Sequence, residues 1–130
     1  VTEPIWILAE DCHAAHDKLL QHFGGMAGVR DGGMLDSALG RPRQAHHDGE
    51  RNLFVLAARY AHGIAKNRPF LDGNKRTAFV MAALFLQCNG WRVVAPEESV
   101  VAHTLALAAG EIGEAEYAGW LETSCEPLRR

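Results

Sequence analysis

Apolar positions recur along this chain at helical spacing, and they predict a succession of helices. Cys12, Leu19, Leu20 and Phe23 give one apolar face to a helix from about Ala9 to Phe23. Gly24–Gly25 ends it, because glycine takes the left-handed geometry after a helix without steric penalty. The stretch Gly24–Gly33 holds five glycines and a buried-looking pair, Met26 and Val29, and reads as an ordered loop. Met34–Leu39 is predicted as a short helix, broken by Gly40–Arg41–Pro42. Arg51 to Lys66 forms a second long helix on a stripe of Leu53, Leu56, Ala57, Tyr60, Ala61 and Ile64.

A loop over Asn67–Gly73 follows, and Asn74 caps or opens a third long helix running through Cys88. From Ala78 to Leu86 that helix is apolar nearly all round, so Phe79–Leu86 is expected to be the buried centre of a bundle. Asn89–Gly90 stops it. Trp91–Val94 is too short for a sheet of its own and reads as an extended piece or half of a small hairpin. Pro96 then opens a helix, with Glu97 and Glu98 in the turn where negative charge is favourable, and this helix runs to about Ala109. A last helix spans about Glu114 to Glu122. The expected fold is all-α: one compact domain over residues 1–130, a helical bundle with a central buried helix.

Composition adds constraints rather than an answer. With 130 residues and 48% hydrophobic content, the chain can bury a core without metal or disulfides. A formal net charge of -3 argues against a non-specific nucleic-acid binder, which needs a basic surface. Cys12, Cys88 and Cys125 are odd in number and lack zinc spacing, so reduced thiols in a cytoplasmic protein are expected. No apolar run approaches the ~18 residues of a membrane span. Adjacent His46 and His47 do not share a helical face and make a poor start for a metal site.

Chemistry concentrates in Arg68–Pro69–Phe70–Leu71–Asp72–Gly73–Asn74–Lys75–Arg76–Thr77. This is a glycine-containing loop running into a helix start, where unpaired N–H groups and a partial positive charge favour an anion. Lys75 and Arg76 place cations in the first turn, where they are unfavourable to the helix itself, and an anionic ligand would offset that cost. Asp72 stands just before them as either an N-cap or a Mg2+ ligand, since Mg2+ takes carboxylate and phosphate oxygens together. The plainer alternative is a surface loop with an Asp–Arg ion pair and a capped helix.

In register, Phe70, Asp72, Gly73, Asn74, Lys75, Arg76 and Thr77 match the signature His-x-Phe-x-(Asp/Asn)-Gly-Asn-(Gly/Lys)-Arg. Outside it, His16–Asp17, Phe23–Gly24–Gly25, Gly28, Asp31, Gly33, Ser37–Ala38–Leu39, Leu84–Phe85–Leu86 with Asn89–Gly90, and Ala109–Gly110–Glu111–Ile112 follow the same pattern. The chain thus resembles the Fic/Doc family, in its death-on-curing toxin branch.

That resemblance implies a toxin of a toxin–antitoxin pair. Such a toxin uses ATP and Mg2+ to phosphorylate a threonine of elongation factor Tu and so blocks translation. It implies Asp72 as the Mg2+ ligand, Asn74 as the anion-hole residue, and Arg76 as the clamp on the distal phosphates. Phe70 would anchor the loop, Gly73 would shape it, and Lys75 is the branch's replacement for a glycine of nucleotidyl-transferring relatives. An antitoxin segment folding into a groove beside Gly24–Gly33 is the implied partner.

In the same register Arg68 stands where the signature has histidine, and a guanidinium cannot accept a proton. The expectation is therefore a chain that binds nucleotide and transfers little. A protein AMP-transferase and a catalytically dead nucleotide- or peptide-binding regulator are the alternatives. Among the other histidines, His62 precedes the loop on its own helix, and His16 reads as a packing histidine bonded to the first loop, after its own helix.

Overall fold

The computed structural model describes residues 3–128. Six helices and a two-stranded sheet follow in the order α1 (Ala9–Phe23), α2 (Gly32–His47), α3 (Leu53–Asn67), α4 (Asn74–Cys88), β1 (Trp91–Val93), α5 (Glu97–Ala109), α6 (Glu114–Thr123) and β2 (Cys125–Pro127). The all-α bundle expected from the sequence is therefore the observed fold.

Its central helix is α3, packed against α2, α4, α5 and α6. Nine of its 15 residues are buried, against seven of 15 in α4. This corrects the choice of Phe79–Leu86 as the centre. Phe85 and Leu86 are fully buried, but Phe79 and Leu84 are only half-buried. The physical reason is side-chain size. Ala57, Ala58, Ala61 and Gly63 on α3 vanish under their neighbours and let helices approach on several sides. At Gly63, a Cβ would lie 3.1 Å from both Cα and Cβ of Ala38 on α2, so the two backbones meet there without a side chain between them.

Local signals fix most helix ends. The Asn52 side chain accepts from the N–H groups of Phe54 and Val55 and starts α3. Asp31 does the same for α2 through Met34 N–H. In α1 the Asp11 carboxylate accepts the Leu8 N–H. One sequence expectation fails, and another holds only in its extended-piece alternative. The short helix ending at Leu39 is instead a 16-residue helix that runs through Pro42. Pro42 is itself fully buried, and Ala38, Leu39 and Pro42 together seat that face in the core, so packing outweighs the lost backbone bond. Trp91–Val93 is also no hairpin half. It pairs antiparallel with Cys125–Pro127 from the far end of the chain, Trp91 opposite Pro127, with Arg92 ion-paired to Glu126.

Above α3, the Tyr60 hydroxyl accepts the Ile7 N–H at 3.1 Å, and its ring packs on Phe85, which in turn stacks on Trp6. Burial pushes the Tyr60 phenol up to about 12. This cluster holds the segment before α1 and so sets where α1 lies over α4. No helix among the described residues is long and apolar enough to cross a membrane.

Candidate functional site

The loop between α3 and α4 is held from its own side and from across the bundle. Arg68 caps α3 in the left-handed region (φ 48°, ψ 57°), the only non-glycine residue with positive φ among those described. Its side chain is exposed, while its backbone is engaged: Arg68 N–H donates to Ile64 C=O, and Arg30 Nε donates to Arg68 C=O at 2.7 Å. The same guanidinium donates to Asn67 C=O at 2.6 Å and so satisfies the carbonyl end of α3.

Phe70 is buried and anchors the loop. Its N–H donates to Asn74 Oδ1 and its C=O accepts from Asn74 Nδ2, both at 2.9 Å. Asn74 is thus a staple: its side chain is spent on the Phe70 backbone, and what it offers outward is its own N–H. Gly73, at φ 78°, is the N-cap of α4, a geometry that glycine adopts freely. The first helical bond of α4 is Thr77 N–H to Gly73 C=O, which leaves the amides of Asn74, Lys75 and Arg76 as the unpaired donors of the first turn. The side chains of Lys75, Arg76 and Asp72 are exposed around them.

The glycine-rich stretch lies against this loop as a ribbon. Leu71 N–H donates to Gly28 C=O, Arg30 and Asp31 N–H both donate to Pro69 C=O, and Val29 faces Phe70 in an isolated antiparallel bridge. The expected ordered loop is therefore paired to the motif, which its sequence did not reveal; Met26 and Val29 are exposed rather than buried, because the loop's pairing is through its backbone, and His16 bonds to Asp72 C=O rather than to this loop. Gly25 is needed there: a Cβ would come within 2.8 Å of Asp72 Oδ2. Asp72 Oδ2 accepts from Met26 N–H at 3.2 Å and Oδ1 from Gly73 N–H at 2.9 Å. Arg76 lies over the Phe23 ring.

These residues fit a nucleotide tail with Mg2+. Three free amides and two exposed cations belong to the first turn of one helix, and each Asp72 oxygen, with one bond made, keeps a lone pair for a metal. Among the described residues no cluster of three or more His, Cys, Asp or Glu could hold a metal by itself, so Mg2+ here would share its shell with phosphate oxygens.

A second polar group lies between α2, α3 and α6. Glu114 meets Arg41 at 2.8 Å and Arg59 at 3.1 Å. His62 Nδ1 lies 3.1 Å from Arg41 Nη1 and 3.5 Å from Glu114. A guanidinium only donates, so Nδ1 is the acceptor and has no proton to share with Glu114. Burial lowers the His62 pKa, and Arg41, Lys66 and Arg59 push the same way against the opposing pull of Glu114. A concavity lined by Arg41, Gln44, Ala45, Asp48 and Arg59 adjoins this group, and another is lined by Glu97, Glu98, Val101, Ala102 and Leu105. Neither includes a residue of the 68–77 loop, whose face is open.

Residues 6–86 match the Fic/DOC family. The chain is 34% identical over 117 residues to the Escherichia phage P1 protein named Protein kinase doc, covering 88% of this chain and 91% of that one. It is 41% identical over 75 residues to Toxin Doc of Mycolicibacterium smegmatis, covering 56% and 58%. The resemblance stands, but one part of it is corrected. The recognition of a member whose histidine has been lost to Arg68 is overturned by His62, an intact histidine within the matched span, in a triad with Arg41 and Glu114. The linear register could not show this, because the triad's members come from three different helices and meet only in the fold.

Proposed function

The chain belongs to the Fic/DOC family, and from that premise we propose that it is a toxin that transfers phosphate from Mg-ATP to a protein hydroxyl. The observation that carries the reading is the start of α4. The amides of Asn74, Lys75 and Arg76 are the unpaired donors of its first turn, the exposed side chains of Lys75 and Arg76 add positive charge there, and the Asp72 carboxylate stands just before them. When bound, Mg-ATP supplies the transferable phosphoryl group. Asp72 would hold Mg2+, Arg76 and Lys75 would balance phosphate charge, and the exposed Arg68 guanidinium would add a further phosphate contact. Phe70 and Gly73 shape the loop, and Asn74 locks it. The target proposed is a threonine of elongation factor Tu, whose modification stops translation.

The partner proposed is an antitoxin segment that folds against Gly24–Gly33. Met26, Val29, Met34 and Leu71 are large apolar side chains left exposed around the loop, and they would serve as anchors.

Mass spectrometry of elongation factor Tu incubated with the protein and Mg-ATP tests the reading. A gain of about 80 Da marks phosphate, and about 329 Da marks AMP, the alternative chemistry of the wider family. No gain on any protein, with Mg-ATP binding intact, marks a regulator that binds nucleotide without transfer. The same assay with His62→Gln tests that histidine as proton acceptor. Lost transfer with retained binding assigns it, and an unchanged rate excludes it.

A further inference from the structure

His16 of α1 has no part in the phosphate chemistry described so far, yet one imidazole touches three residues of the loop. It is the only buried histidine among the described residues, 3% exposed. Its ring stacks on Phe70 with centroids 3.8 Å apart and planes 10° from parallel. Its Nε2 lies 2.8 Å from the backbone oxygen of Asp72. A Cβ at Gly73 would be 3.6 Å from His16 Nε2, so the ring also backs the turn that opens α4. A carbonyl only accepts, so Nε2 carries the proton in this contact.

We propose that His16 is a positioning residue for the Asp72 carboxylate. The Asp72 side chain is exposed, and its oxygens are held only by loop amides, those of Met26 and Gly73. The next residue is a glycine, which leaves the peptide unit between them easy to rotate. The direction in which the carboxylate leaves the loop therefore depends on what fixes the Asp72 carbonyl, and that group is His16. The task needs a flat ring for Phe70 together with an N–H donor at the ring edge for Asp72. Phenylalanine supplies only the ring and glutamine only the donor. This inference rests on the nucleotide-site reading. Under it, His16 sets the affinity of the loaded site for Mg2+ while the phosphate-binding amides of α4 stay as they are. Outer partners that orient a metal-holding group typically change metal affinity by about 10–100-fold when removed.

Two variants separate the contacts: His16→Phe keeps the stack, and His16→Gln keeps the donor. Calorimetric titration of the full chain with ATP in EDTA and then across a Mg2+ series is the measurement, alongside melting temperatures. His16→Phe is expected to bind ATP in EDTA like the wild type and to need about 10-fold more Mg2+ for the metal-dependent gain. His16→Gln is expected to recover most of that gain even where its melting temperature is lower. An unchanged Mg2+ dependence in His16→Phe overturns the proposal, as does an equal loss in both variants, which would mean packing alone. In the wild type, nitrogen-15 shifts should show a protonated Nε2, and a bare Nε2 overturns the proposal without reference to nucleotide. If the wild type binds ATP neither with Mg2+ nor without it, the nucleotide reading fails, and this inference falls with it, even with Nε2 protonated.

Discussion

The guanidinium carbon of Arg76 lies 4.3 Å from the ring centroid of Phe23. The last residue of α1 thereby steadies a cation in the first turn of α4, where the helix itself disfavours positive charge. Both α1 and the turn after it reach the 68–77 segment, through His16 to Asp72 C=O, Met26 N–H to the Asp72 carboxylate, and Phe23 to Arg76.

Phe23→Ala is expected to weaken Mg-ATP binding modestly. An exposed cation–π contact is worth about 0.5–1 kcal/mol, or roughly 2- to 5-fold in affinity. Arg76→Ala removes a charge-assisted phosphate contact and is expected to cost roughly 10-fold or more. Calorimetry on the two variants gives the order. Equal affinity of Arg76→Ala and the wild type would falsify the placement of the phosphates at α4.

Asn74→Ala leaves the N–H and C=O of buried Phe70 without partners. Each orphaned group costs about 1–3 kcal/mol, so a loss of roughly 2–6 kcal/mol in stability is expected by urea denaturation. Asn74→Asp should recover part of it, since its carboxylate still accepts from Phe70 N–H. If the alanine variant is as stable as the wild type, the staple is not what holds the loop.

Gly63→Ala tests the contact between α2 and α3. Alanine favours a helix by about 1 kcal/mol over glycine. Here the new Cβ would press on the Ala38 backbone at 3.1 Å, and backbone inside a helix yields little. Overpacking of this kind costs about 1–3 kcal/mol, so a lower melting temperature is expected despite the better propensity. A higher one would show that α2 shifts freely.

His62 makes stability depend on acid. Burial lowers its pKa in the fold below the ordinary value of about 6.5. A base with a depressed folded pKa contributes stability that is complete above its unfolded pKa and is lost as pH falls through the folded one. Melting temperature should therefore drop as pH is lowered below about 6.5, and the drop should be shallower in His62→Gln, whose side-chain oxygen can still accept from Arg41. Identical slopes in both proteins would place the acid sensitivity elsewhere.

Glu114→Gln removes the one carboxylate between Arg41 and Arg59. The side chains are partly exposed, so water screens some of the loss, and a cost of about 1–2 kcal/mol is expected rather than the 3–5 of a fully buried pair. Denaturant midpoints at low and high salt would show it, with the difference from wild type shrinking as salt rises.

Much of this protein was set locally, and the sequence therefore determined it. The limits of α1 and α4 and the stop at Asn89–Gly90 depend on residues within a turn of one another, where side chain and backbone meet whatever the rest of the chain does, although the N-cap of α4 is Gly73 rather than Asp72. The Asp72–Thr77 run was legible for the same reason: a helix start and its cations are adjacent in the chain. What tertiary structure alone decided involves residues far apart. Pro42 reads locally as a break, and only the core beneath α2 keeps the helix running through it. The centre of the bundle fell to α3 because small side chains let neighbours close in, a property invisible to a hydrophobicity pattern that weights large ones. The pairing of Val29 with Phe70, the triad of His62 with Arg41 and Glu114, and the grip of His16 on Asp72 exist only once helices from different parts of the chain are packed. Side-chain chemistry can be read one residue at a time, but which groups share a dielectric, a hydrogen bond or a proton is fixed by where the backbone brings them.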